Sequence, residues 1–318
     1  MTRYAVLGTG ALGGLYGGLL ARAGFEVHFL LHSDYAYVKE HGLRVDTPLG
    51  DFHLPQIQAY ADASQMPAAD VVIVAWKSTQ NHLLAETLAK TVKPNGCVLV
   101  LQNGWDVERA AADAVGEGRV LGGCCFLCSN KIGPGHIRHL DYGRITFGEY
   151  EVSRAGNETE RMRSIAEDFS RAGIDIVMTS DLRRSRWTKL MWNIPFNGLS
   201  VVLDSSTDRI MADENSSTLA AQLMDEVRAA AAACGSVIEE PVRDKLLADT
   251  VKMVPYASSM LLDYQQRRPM EVEAIFGNTV RAAQAAGARV PRIEMLTRQL
   301  RFLDSANRSE LATSSPKG

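Results

Sequence analysis

The chain has 318 residues, roughly twice the ~150 of a typical domain, so two domains are expected. Hydrophobic residues make up 46% and charged residues 22%, an ordinary soluble balance, and no apolar run approaches the ~18 to 20 residues needed to span a bilayer. A formal charge of -3, from 34 basic and 37 acidic residues, argues against a nucleic-acid partner held by bulk charge.

Residues 4–7 form a short apolar run ending in Gly8, and 11–23 follow with a helix-like composition. The run from Met1 into this strand has no basic n-region or small-residue cleavage site, so a cytoplasmic location is expected. Gly24 interrupts, and 27–31 is a second strand. Further strands are predicted at 71–76, 98–101 and 119–127, with helices over 81–91 and 105–114 between them. Strands alternating with helices imply βαβ units and a mostly parallel sheet. Residues 137–139 and 144–148, separated by Asp141-Tyr142-Gly143, predict a late antiparallel hairpin.

Residues 158–172 read as one more helix and 174–178 as a last strand. Beyond Ser180 the pattern is almost wholly helical: Leu219, Leu223, Val227, Ala230 and Cys234 recur at helical spacing, as do Val272, Ile275, Phe276 and Val280. The boundary is placed near Ser180, giving domains 1–180 and 181–318, with a flexible polar tail from about Ser305.

Five cysteines are an odd number, and nothing in the composition suggests secretion, so no disulfide framework is expected. Cys124, Cys125 and Cys128 cluster, but no second Cys pair or Cys/His pair stands at a zinc-like spacing. They read as small thiols packed around a buried strand, and no metal is expected.

Gly8-Thr9-Gly10-Ala11-Leu12-Gly13 is a GxGxxG that follows a strand and opens a helix, with a second strand ending about 20 residues on. In that context Gly8 allows the tight turn, Gly10 lets the backbone approach a pyrophosphate, and Gly13 lets helix and strand pack closely. The helix N-terminus then faces the phosphate charge. A purely structural strand-turn-helix is the alternative. After the second strand stand His32, Ser33 and Asp34. His32 and Ser33 can donate to a 2′-phosphate, whereas Asp34 would oppose one if it pointed inward, so the reading leans to NADP(H) over NAD. Equally, these residues could simply cap the following turn.

Lys77, past the third main strand, and Asn103, in Gln102-Asn103-Gly104 past the fourth, stand where doubly wound sheets hold ligands. Asn-Gly is also a turn signal with no further duty. In the second half, Lys189, Asn193 and Asn197 fall at i, i+4 and i+8, on one helix face. Asn is a poor interior helix former, so two of them beside a Lys imply either a ligand-facing stripe or a wet face. Pro195 within the same segment should kink the helix. Ser258 and Ser259 suggest a helix start, and Glu271 a first-turn carboxylate.

Taken together, GTGALGG, Lys77, LQNG, KLMWNIPFN and SSMLLDYQQRRPMEVEAIFGN resemble, in matching order, the 2-dehydropantoate 2-reductases (ketopantoate reductases) over residues 3–300. The resemblance implies a Rossmann-type doubly wound α/β domain followed by an all-helical domain like that of 6-phosphogluconate dehydrogenase, with the active site in the cleft. It implies NADPH-dependent reduction of 2-dehydropantoate to pantoate, on the route to pantothenate and coenzyme A. By motif, Lys189 would be the proton donor, and Asn193, Asn197 and Ser259 would hold the substrate. Asn103 would touch cofactor and substrate, and Lys77 and Glu271 would lie at the cofactor with the glycine loop and His32. The family's NADPH enzymes usually carry Arg where this chain has His32. Two alternatives stand beside this reading: a reductase of another branched 2-keto acid, and a non-catalytic NADP(H)-binding sensor. Oligomeric state is not readable from the residues; a homodimer through the helical domain is compatible with them.

Overall fold

The computed structural model describes residues 1–154 and 156–314. The chain forms two compact units, Met1–Gln102 with Val107–Leu182, and Asn103–Asp106 with the chain from Arg183 onward.

In the first unit, ten strands form one sheet: β1 (Arg3–Leu7), β2 (Glu26–Leu30), β3 (Leu43–Asp46), β4 (Phe52–Leu54), β5 (Gln58–Tyr60), β6 (Ala69–Val74), β7 (Val92–Val100), β8 (Val120–Gly133), β9 (His136–Glu149) and β10 (Ile176–Met178). Their order is β4-β3-β9-β8-β7-β6-β1-β2-β5, with β10 also paired to β9. The stretch from β5 to β8 is parallel throughout. Numbered among themselves, those six strands run 3-2-1-4-5-6, the doubly wound order of dinucleotide-binding domains, with the switch point between β1 and β6. Tyr4 to Leu7 and Val71 to Val74 are buried on both faces, which is why these strands read as continuous apolar runs rather than alternating ones.

The late hairpin expected from 137–139 and 144–148 is not formed. Both segments belong to β9, which pairs antiparallel with β8 along its whole length. Residues 141–143 bulge instead of turning. Tyr142 (φ 61°) and Gly143 (φ 123°) absorb a register shift opposite Phe126 and Leu127, so the strand bends without reversing. The reversal lies earlier, between β8 and β9, at Pro134-Gly135. Strands β3, β4 and β5 and the helix Tyr35–His41 were not predicted; strands of three or four residues carry too little periodicity to register. The sheet is accordingly mixed, with a parallel centre. The helix expected at 105–114 covers only Arg109–Val115, because Gly104 (φ 124°) and Asp106 (φ 53°) hold non-helical backbone. Cys124, Cys125 and Cys128 are buried on β8.

The second unit is helical: Leu182–Val202, Thr207–Ala212, Glu214–Ala233, Glu240–Lys252, Ser259–Gln265, a π-helical turn Glu273–Gly277 running into Asn278–Ala285, and Pro291–Ser314. Helix Leu182–Val202 continues through Pro195. An interior proline costs roughly 3 kcal/mol, and burial of Trp187, Leu190, Met191, Ile194 and Phe196 offsets it. The last helix is Pro291–Ser314. Asp304 accepts the Met270 N–H at 2.8 Å and Asn307 donates to the Tyr264 carbonyl at 3.1 Å, so both hold the helix to its unit. Residues 315–318 lie outside the described residues. Among the described residues, no helix is long and apolar enough to cross a membrane.

Candidate active site

The glycine loop leaves β1 at the switch point. Gly8 has φ 94°, and a Cβ there would lie 2.7 Å from the Trp76 Cβ, so the exit of β6 excludes any side chain. At Gly13 a Cβ would come within 2.0 Å of the Gly8 carbonyl oxygen, which fixes the approach of helix Ala11–Arg22 to its own loop. Gly10, between them, has nothing within 4 Å of where its Cβ would be. It is also the helix N-cap, with no side chain capping it. The first N–H groups of a helix lack intrahelical acceptors. Two glycines are therefore enforced by packing and the third borders open space at a helix start, which fits a dinucleotide pyrophosphate. Thr9, Ala11 and Leu12 complete this loop and are partly buried.

Lys77 precedes the short helix Ser78–Leu83 and accepts the Gln80 N–H at 2.9 Å on its carbonyl. The turn beneath it is fixed by the Gln102 amide, which donates to the Trp76 carbonyl at 3.0 Å and to Asn81 at 2.7 Å. After β2, His32 and Ser33 are exposed, whereas Asp34 is buried. The Asp34 carboxylate accepts from the Lys131 ammonium at 2.5 Å and from the Gly135 N–H at 3.0 Å.

In the second unit, Lys189, Asn193 and Asn197 do share one face of Leu182–Val202, and it is not a wet face: they are 9%, 2% and 2% exposed. The Lys189 ammonium lies 5.4 Å from the centre of the Trp192 ring, a cation–π distance. Asn193 donates to the side-chain oxygen of Asn103 at 3.4 Å, so the Asn103–Asp106 loop meets the stripe within this unit. That loop is anchored at Trp105. Its N–H donates to the Ala274 carbonyl at 2.9 Å, its carbonyl accepts from Asn278 at 2.7 Å, and its ring packs on Trp187 at 4.3 Å. The anchor is a π-helical turn, a departure from α-helix found often at functional sites.

Ser200 extends the stripe. It donates to the Asn197 carbonyl at 3.1 Å and shares a hydrogen bond with Ser258 at 2.6 Å. Ser258, fully buried, caps helix Ser259–Gln265 by accepting the Leu261 N–H at 3.1 Å. Exposed Ser259 begins that helix, and its start is thereby tied to Asn197. Glu271 is buried immediately before the π-helical segment, its carbonyl accepting the Ile275 N–H at 3.1 Å. Sequence reasoning missed Ser200, Trp105, Asn278 and Lys131. Only Ser200 left a signal, three residues past Asn197 on the same helix.

A doubly wound dinucleotide-type unit followed by a helical unit with a buried Lys-Asn-Asn face defines a nicotinamide-type oxidoreductase. Family models described as "Ketopantoate reductase PanE/ApbA" and "Ketopantoate reductase PanE/ApbA C terminal" match residues 4–152 and 181–304. The chain is 53% identical to a 2-dehydropantoate 2-reductase of Nostoc sp. strain PCC 7120, over 96% of this chain and 97% of that one. The crystal structure of 2-dehydropantoate 2-reductase from Geobacter metallireducens GS-15 superposes with a TM-score of 0.90 at 39% identity, covering 96% and 99% of the two chains. D-mandelate dehydrogenase with NADH and anilino(oxo)acetate shares the fold, with a TM-score of 0.86 at 19% identity over 96% and 99%. The chain belongs to the ketopantoate reductase family.

Proposed function

We propose that this chain reduces 2-dehydropantoate to (R)-pantoate with NADPH, in the supply of pantothenate and coenzyme A. The observation that carries the reading is the buried Lys189-Asn193-Asn197 face in a chain 53% identical to a 2-dehydropantoate 2-reductase. A buried ammonium within reach of a keto oxygen stabilises the negative charge that develops there and hands over the proton from Nζ. Asn193 and Asn197 offer donor and acceptor together, which suits a substrate bearing both a carboxylate and a hydroxyl. Asn103, held against Asn193, and Ser259, at the start of its helix, extend the same polar surface. The loop Gly8 to Gly13 would hold the pyrophosphate, with Lys77, His32 and Glu271 as further cofactor groups. When bound, the nicotinamide supplies the hydride. A cytoplasmic location and a homodimer through the helical unit belong to the same reading.

The test is oxidation of NADPH and NADH followed at 340 nm with 2-dehydropantoate and a panel of other 2-keto acids. Turnover fastest with 2-dehydropantoate and NADPH is the expected result. Turnover confined to another keto acid or to NADH would keep the Lys189 chemistry and discard the named reaction. Tight nucleotide binding without turnover on any acid would leave a sensor.

A further inference from the structure

We infer that Lys131 sets the nucleotide preference of the first unit by masking Asp34, so that the turn after β2 admits a 2′-phosphate it would otherwise repel. The inference rests on the reading of the glycine loop as an NADP(H) site. An acidic residue after the second strand is what NAD-binding domains use to accept hydrogen bonds from the ribose hydroxyls. This chain has such a residue in Asp34, but its carboxylate is already engaged. One oxygen accepts from the Lys131 ammonium at 2.5 Å and from the Ser33 hydroxyl at 3.2 Å, the other from the Gly135 N–H at 3.0 Å. The Asp34 side chain is 8% exposed. Lys131 lies 97 positions further on, near the end of β8, and Gly135 stands in the β8–β9 turn. The long β8–β9 hairpin thus brings a cation and a backbone donor to the Asp34 carboxylate. The Lys39 ammonium, on the following helix, is occupied by the Tyr35 hydroxyl at 3.0 Å. What the turn then presents to a ligand is exposed His32, able to donate to a phosphate, and exposed Ser33, whose single O–H would do so only by leaving Asp34.

Without Lys131, the buried carboxylate would keep the Ser33 hydroxyl and the Gly135 N–H but lose the counter-charge that Lys131 supplies. It would repel the charge of a 2′-phosphate and offer an acceptor for a free 2′-hydroxyl. The experiment is calorimetric titration of 2′,5′-ADP and 5′-AMP, at low salt, into the wild-type protein, Lys131→Met, Asp34→Asn and the double variant. Wild type should bind 2′,5′-ADP more tightly than AMP. In Lys131→Met the affinity ratio should fall at least about tenfold, and in the double variant it should return to the wild-type range, because no carboxylate is left to mask. An unchanged ratio in Lys131→Met overturns the inference. So does a double variant that stays low, which would make Lys131 a phosphate ligand in its own right. Should Lys131→Met fail to fold, Asp34→Asn with and without Lys131 answers the same question: equal ratios support masking and a fall overturns it. A wild-type ratio near one overturns the NADPH reading alone, since masking is read from the difference between proteins.

Discussion

Lys189 is a long cation on a helix face that is almost closed to water, its ammonium 5.4 Å from the centre of the Trp192 ring. On the proposed reading its duty there is proton transfer at Nζ. Replacing it in Lys189→Ala should lower kcat by at least ~10²-fold, the lower range for loss of a general acid. Nucleotide affinity measured by titration should stay as it was. Cys97 is a buried titratable group whose effect is on stability. Burial pushes its thiol up to about 11, so the native protein holds it neutral while the unfolded chain ionises at lower pH. That contribution to stability is complete below the ordinary thiol range and is lost as pH rises toward about 11. Urea unfolding of wild type and Cys97→Ala between neutral and alkaline pH should show a shallower alkaline loss in the variant. Tyr4, whose hydroxyl donates to buried Asp168 at 2.7 Å, is a third residue with a definite cost. Tyr4→Phe leaves that carboxylate short of a donor and should destabilise by about 1–3 kcal/mol, read from the same denaturation curves.

Among the elements, the segment Asn103–Asp106 shows how four residues can matter more than a helix. It leaves the first unit after Gln102, seats Trp105 on the π-helical turn of the second, and re-enters at Val107. Gly104 makes this possible: its φ is 124°, and a Cβ would lie 2.5 Å from the Ala274 carbonyl oxygen. Gly104→Ala must therefore displace the loop, at about 1–3 kcal/mol for the backbone conformation alone. Because Asn103 rides on the same loop and is read as touching both ligands, KM for the keto acid should rise and the affinity for nucleotide should fall in that variant, the first measured by steady-state kinetics and the second by titration. Helical periodicity in the sequence, such as Lys189, Asn193 and Asn197, was legible because one helix places those residues on one face without help. The 105–114 helix and the late hairpin misled for the converse reason. Trp105 takes a conformation imposed by Asn278, far along the chain, and Asp141-Tyr142-Gly143 one imposed by the register of the preceding strand.

For the whole molecule, the two units have separate hydrophobic cores, one gathered on the sheet and one on helix Leu182–Val202. A ligand that binds only the folded first unit should stabilise it by linkage. NADP at 100 times its dissociation constant should add about 2.7 kcal/mol to its unfolding free energy, measured by chemical denaturation with and without nucleotide. Taken alone, the sequence determined the alternation of strand and helix, the glycine loop after β1, the buried character of Cys124, Cys125 and Cys128 and the Lys-Asn-Asn stripe, all features written in spacings of a few residues. The tertiary structure decided what those spacings could not carry. It made 136–149 one bulged strand, moved 103–106 into the second unit, tied Ser258 to Ser200 and closed Lys131 over Asp34. The last three depend on a hydrogen bond or ion pair between residues tens of positions apart, and the first on a register along a neighbouring strand; such pairs exist only once the chain has packed.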